Sequence, residues 1–232
     1  MRTVPYIVAV LAATWLVPGC SEDPGSLTSG RNPYAQDYSG DPDGDGEDDA
    51  APAPSGPAGP APARDATFAA RTLARAREWI AAEMPYCGGP NGGKDLICGG
   101  TCERSGSAEK PEWDDYRSDC SGFVSWAWEL PAPGRTTRTL APADTTVSVV
   151  INVEDLEPGD ALNGPGHVML WGGWSDEASG KGLILQESGC GKIAHEKIAA
   201  FEKINATTLE ISDGRRFQAI RYKQRPEETA SK

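Results

Sequence analysis

The order of elements predicts an α+β fold, with N-terminal helices packed on an antiparallel β-sheet. Three observations predict it. An apolar repeat of helical period precedes Pro85, and a second short helical stretch begins at Cys120. After residue 147 the chain turns to short β-branched and apolar runs separated by turn residues.

The first helix is expected over residues 65–84. Leu73, Ala76, Ile80 and Met84 recur on one face, Asp65 or Thr67 can cap it, and Pro85 stops it. A Gly-rich loop holding three cysteines follows, from Cys87 to about Arg117. The second helix is expected over 120–129, capped by Ser118 or Asp119, with Phe123, Val124 and Ala127 inward and Pro131 beyond it. Strands are expected at 147–153, 166–171, 183–186, 207–211 and 216–222, with a hairpin turn across 174–181.

These elements account for only part of the 232 residues. Met1-Arg2 and an apolar run over 4–17 describe a secretory signal peptide, too short for a bilayer span of about 20 residues. Leu16-Val17-Pro18-Gly19-Cys20 resembles a bacterial lipobox, in which Cys20 is lipidated and becomes the mature N-terminus. Between 21 and 64, nine acidic residues face Arg31 and Arg64, and the stretch becomes rich in Pro, Ala and Gly. With few large apolar side chains it cannot offset the entropy of ordering, so it reads as a tether. Asp41-Pro42-Asp43-Gly44-Asp45-Gly46 opens like a calcium loop, but Pro52 stands where the twelfth-position Glu is needed, so the linker reading holds. The organisation is a signal peptide over 1–19, a tether over 20–64 and one folded domain over 65–232. The net charge of −12 and the absence of a basic stripe exclude nucleic acid as a partner class.

Tyr116-Arg117-Ser118-Asp119-Cys120-Ser121-Gly122-Phe123-Val124 carries the chemistry. A Cys in the first turn of a helix meets free N–H groups and the positive end of the dipole, which favour a thiolate and an oxyanion formed by its attack. His167 opens an apolar strand and can serve as general base and then general acid. The only other histidine, His195, lies between Ala194 and Glu196-Lys197 and reads as a solvated residue.

These segments resemble the NlpC family of papain-like bacterial cell-wall cysteine peptidases. Pro85-Tyr86 with Gly88-Gly89, Asp119-Cys120-Ser121-Gly122-Phe123-Val124, Leu130-Pro131, Pro158-Gly159-Asp160 and His167-Val168 match its motifs in order, over roughly 73–188. The resemblance implies a papain-like core with Cys120 as nucleophile and His167 as base. It places Tyr86 beside Cys120, its hydroxyl helping to hold the thiolate or the oxyanion, and groups Tyr86, Asp119 and Ser121 at the substrate or oxyanion side. The residue that orients the imidazole aligns with Gln186, where the family most often has His. Glu187 competes for this role, and strand alternation lets only one of the two face the site.

Setting aside Cys20 and Cys120, four cysteines remain: Cys87, Cys98, Cys102 and Cys190. An exported chain with four cysteines is expected to form two disulfides, in any of three connectivities. Zinc is the alternative, and Cys98-x₃-Cys102 with no second close pair matches it poorly. Trp113, Trp126, Trp128, Trp171 and Trp174 lie near the site elements in sequence, Trp126 and Trp171 as core and the rest as a conceivable groove.

The expected function is hydrolysis of an amide in peptidoglycan stem peptides through a thioester, with no cofactor or metal. Its setting would be a monomer lipid-anchored in the bacterial envelope, at the periplasmic face of the outer membrane. The alternatives are a muramoyl-L-alanine amidase, a Cys acyltransferase on the same dyad, or an inactive wall-binding module.

Overall fold

The computed structural model describes residues 67–140 and 146–223. The expected signal peptide, Cys20, the expected tether with its Asp41 loop, and Asp65 lie outside the described residues. Helix α1 spans Phe68–Ala81 and is capped by Thr67, whose hydroxyl accepts from Ala70 N at 3.2 Å. Its buried face is Phe68, Thr72, Ala76 and Trp79, with Leu73 and Ile80 only partly covered. The inward stripe is therefore rotated from the expected one, because Trp79 offers the largest apolar area and takes the centre. Helix α2 spans Cys120–Ala127 and is buried along its whole length. A single turn, α3, covers Thr137–Leu140.

Seven strands follow: β1 Ser148–Val150, β2 Ala161–Gly164, β3 His167–Asp176, β4 Lys181–Gln186, β5 His195–Asn205, β6 Thr208–Ile211 and β7 Arg216–Tyr222. All pairings are antiparallel, in the order β1-β7-β2-β3-β4-β5-β6. One further pairing, β6 with β7, joins the ends. Strands β2 to β7 thus close into a six-stranded barrel, and β1 adds to the free part of one edge of β7.

This corrects the expected fold class. The protein is not a papain-like α+β core with helices packed on a sheet: it is a closed antiparallel barrel with few helices. The cause lies in two strands that the sequence reading lacked. β2 was hidden in the Pro158-Gly159-Asp160 turn region. β5 exposes most of its side chains, so its sequence lacks the alternation of a half-buried strand. Pairing of β5 with β4 and β6 brings β6 round to β7, which removes the open edges.

The apolar residues form two clusters. Leu162, Met169, Trp171, Ile184, Leu209 and Phe217 belong to the one inside the barrel. The other joins α1 and α2 to the outer side of β3 and β4 through Val168, Leu170 and Leu185. Gly182 serves the inner cluster, since a Cβ there would lie 2.2 Å from the Trp171 ring. Trp79 and Trp126 stack at 6.0 Å in the outer cluster. Trp113, Trp128 and Trp171 are fully buried, so these tryptophans build core rather than a groove. Among the described residues, no helix is long and apolar enough to cross a membrane.

The Pro158-Gly159-Asp160 turn ties the barrel to the helices. Asp160 is buried and accepts from Glu157 N at 2.8 Å and from Arg221 Nε at 2.9 Å. Gly159 has φ +92, a region that favours glycine, and its carbonyl accepts from Trp128 Nε1 at 2.8 Å.

Candidate active site

Four of the residues singled out by sequence sit around the start of α2. Asp119 caps the helix: its Oδ1 accepts from Ser121 N at 3.0 Å, Gly122 N at 2.7 Å and Ser121 Oγ at 2.7 Å. Gly122 fits because its Cα lies against the Arg117 carbonyl, from which an added Cβ would be only 1.8 Å away. The Asp-Cys-Ser-Gly run is thus a local device that turns the chain tightly and presents Cys120 at the first helical position. Asp119 and Ser121 hydrogen-bond to each other and hold the first turn of the helix. Two first-turn N–H groups are taken by Asp119, leaving the N–H of Cys120 itself without a partner among the described residues. Tyr86 is buried in the same apolar cluster as Cys120. A bridge between Cys87 and Ser118 brings its segment alongside Asp119.

Cys120 is buried and is the free cysteine among the described residues. Its sulfur lies 4.0 Å from the Gly166 carbonyl, and the backbone of Val168 and Ser121 favours its ionised form. The thiol therefore sits on the backbone at either side of His167. Burial, with a smaller push from Asp119, raises its pKa to about 12, against the weaker pull of that backbone and Arg117. The helix terminus is outweighed, and the resting group is a thiol rather than the expected thiolate. Alkylation of Cys120 by iodoacetamide is accordingly expected to keep rising about tenfold per pH unit through the mildly alkaline range. A plateau near neutral pH would contradict the thiol state.

His167 is buried and shares the inward face of β3 with Met169 and Trp171, its ring edge-on to Phe217 at 6.2 Å. Its Nε2 lies 2.8 Å from Gln186 Oε1. Its Nδ1 is buried and has no hydrogen-bond partner among the described residues. Burial lowers its pKa to about 4, more than Gln186 raises it. No hydrogen bond joins the imidazole to the thiol: the two meet through adjacent backbone at the edge of β3. The resting pair is neutral on both sides, in contrast to an ion pair.

Of the two candidates for orienting the ring, Gln186 is the one at His167. Glu187 lies just past the end of β4, is fully buried, and feels Asp119 and Arg104. Neither of its carboxylate oxygens has a hydrogen-bond partner among the described residues. Burial raises its pKa well above the ordinary value, Asp119 adds to this, and Arg104 opposes it. The folded state thus keeps a proton that the unfolded chain releases above about 4.5. Stability contributed by this group is present below that pH and is lost as pH rises toward the folded-state value. Glu187→Gln is expected to raise the melting temperature at neutral pH by a few degrees, corresponding to about 1 kcal/mol, and to flatten this slope. Thermal melts across pH check it, and an unchanged slope would show that Glu187 ionises freely.

The disulfides are Cys87–Cys102 and Cys98–Cys190. They pin the loop before α2 on itself and to the segment after β4. Asp95 lies by the Cys87 and Cys102 sulfurs, but these are bonded to each other, and Asp95 Oδ1 accepts from Gly88, Ile97 and Cys98 N–H groups at 2.8–3.1 Å. The grouping is a loop anchor, with no thiolates left for a metal.

His195 was missed as a site residue. It opens β5 directly across from Gln186, and its Nε2 lies 3.1 Å from Gln186 Nε2. Recognising the strand at 195–205 would have found it.

Comparisons of this chain with protein-family models, with curated proteins and with solved structures find no match.

Proposed function

We propose that this protein is a cysteine hydrolase that cleaves an amide in peptidoglycan stem peptides, with Cys120 as nucleophile and His167 as base. The observation that carries the reading is the imidazole held at Nε2 by Gln186, its Nδ1 without a hydrogen-bond partner among the described residues, beside the backbone on which the Cys120 sulfur rests. The ordered motif matches to the NlpC family support the substrate class. In the first step the thiol proton passes to Nδ1 as sulfur attacks the amide carbon. The N–H of Cys120 donates to the resulting oxyanion. The amine leaves with the proton from Nδ1, giving a thioester. Water then attacks, losing its proton to Nδ1, and the acid and the free thiol are released.

The lipobox supports anchorage through a lipid on Cys20, with the tether holding the domain away from the envelope membrane and the wall as its partner. The test is mass spectrometry of muropeptides incubated with the full chain, wild type beside Cys120→Ala. Fragments formed by wild type alone are expected and identify the bond. No fragments, with Cys120 still open to alkylation, would remove the wall substrate and favour an acyltransferase. An inert Cys120 would remove the enzyme.

A further inference from the structure

The base His167 reaches a partner beyond Gln186. Gln186 sits between two imidazoles, with its Oε1 2.8 Å from His167 Nε2 and its Nε2 3.1 Å from His195 Nε2. At the far end, His195 Nδ1 lies 3.0 Å from the Ile193 carbonyl. A carbonyl oxygen only accepts, so His195 Nδ1 must carry the hydrogen. In a neutral ring this leaves Nε2 as an acceptor, and the amide group facing it must be the NH₂ of Gln186. The amide oxygen then faces His167, whose Nε2 must be the protonated nitrogen. The lone pair of His167 is thereby left on Nδ1.

We propose that His195 is a positioning residue for the catalytic base: it sets the orientation of the Gln186 amide and so selects the His167 tautomer whose free nitrogen is Nδ1. Without an acceptor at this place nothing at the far end of Gln186 opposes a flip of its amide. A flipped amide would offer NH₂ to His167 Nε2, move the ring hydrogen to Nδ1 and abolish the base. The arrangement is built by strand pairing, since Gln186 and His195 are register partners of β4 and β5. Burial lowers the His195 pKa and so favours the neutral ring; the Ile193 carbonyl opposes this, and Lys197 and Lys192 add to it.

The tautomer part of this inference stands by itself, while its effect on rate rests on the hydrolase reading. The two are separated by measuring both. The chain has only two histidines, so a long-range 1H–15N spectrum of the full chain at neutral pH shows two ring systems. His167 is expected as the Nε2–H form and His195 as the Nδ1–H form. In His195→Phe, which removes the acceptor, His167 is expected to show a mixture of tautomers, with kcat on muropeptides down about tenfold and KM little changed. His195→Gln places an amide oxygen near the lost nitrogen and is expected to restore both. A wild-type His195 in the Nε2–H form overturns the proposal whatever the variants do. So does an unaltered His167 tautomer in His195→Phe, or a failure of His195→Gln to recover it. The expected tautomer changes without hydrolysis by wild type would overturn the hydrolase reading and leave the positioning role standing.

Discussion

Replacing Gln186 with leucine is expected to lower kcat/KM on a muropeptide about a hundredfold, with KM close to that of wild type. Leucine keeps the volume but leaves the buried Nε2–H of His167 with nothing to donate to. The ring then gains nothing from holding its hydrogen at Nε2, and much of the population moves it to Nδ1, where it blocks proton uptake. Wrong-tautomer losses reach about 10⁴ where the orienting group is a carboxylate. An amide adds no charge to stabilise the imidazolium, so the smaller figure is expected here. The effect falls on kcat because Gln186 touches the imidazole and not the substrate. Gln186→Glu tests the charge separately. A carboxylate in this place favours the imidazolium, so the acid limb of kcat/KM, expected at about 4 for wild type, should move upward. A Gln186→Leu variant with wild-type kcat would mean that His167 needs no orienting partner.

The largest effect on stability is expected from Gly122→Ala. The added methyl would lie 1.8 Å from the Arg117 carbonyl oxygen, and backbone sits on both sides of the contact. No flexible side chain can yield, so either the turn before α2 opens or the helix start moves away from it. A cost of about 3 kcal/mol or more follows, read as a fall of roughly 10 °C in melting temperature. Opening the turn also disturbs the Asp119 cap, which holds Ser121 and Gly122 N–H groups from one oxygen. The Cys120 thiol should then become more exposed and its alkylation faster at fixed pH. A variant that melts like wild type and alkylates at the same rate would show that the close approach to Arg117 is not needed to place the thiol.

The particular elements show why some of this was legible before any coordinates. The start of α2 could be read because every component is local. An Asp cap, a small residue at a tight turn and an apolar stretch lie within a few residues, and their hydrogen bonds close within one helical turn. Strands β3, β4 and β7 could be read because their apolar runs are buried on at least one face. Strand β5 could not, since its Ile, Ala and Phe residues run together between charged pairs on a largely exposed wall, without a strand's alternation, and pairing makes it a strand. The same blind spot hid His195, whose role exists only because β5 lies across from Gln186.

The sequence by itself determined where the candidate residues stand, Cys120 at a helix start and His167 at a strand start with Gln186 on the strand after it, because those signals are written in short spacings. It also determined that four cysteines remained for two bridges, though not which pairs, which depend on how distant segments meet. Tertiary structure alone decided that the strands close into a barrel, because closure needs β6 and β7 to meet, and pairing between distant edges leaves no local trace. It alone decided the protonation state of the site. Burial raises the thiol and lowers the imidazole more strongly than a helix terminus or an amide can oppose, and burial is a property of the whole fold.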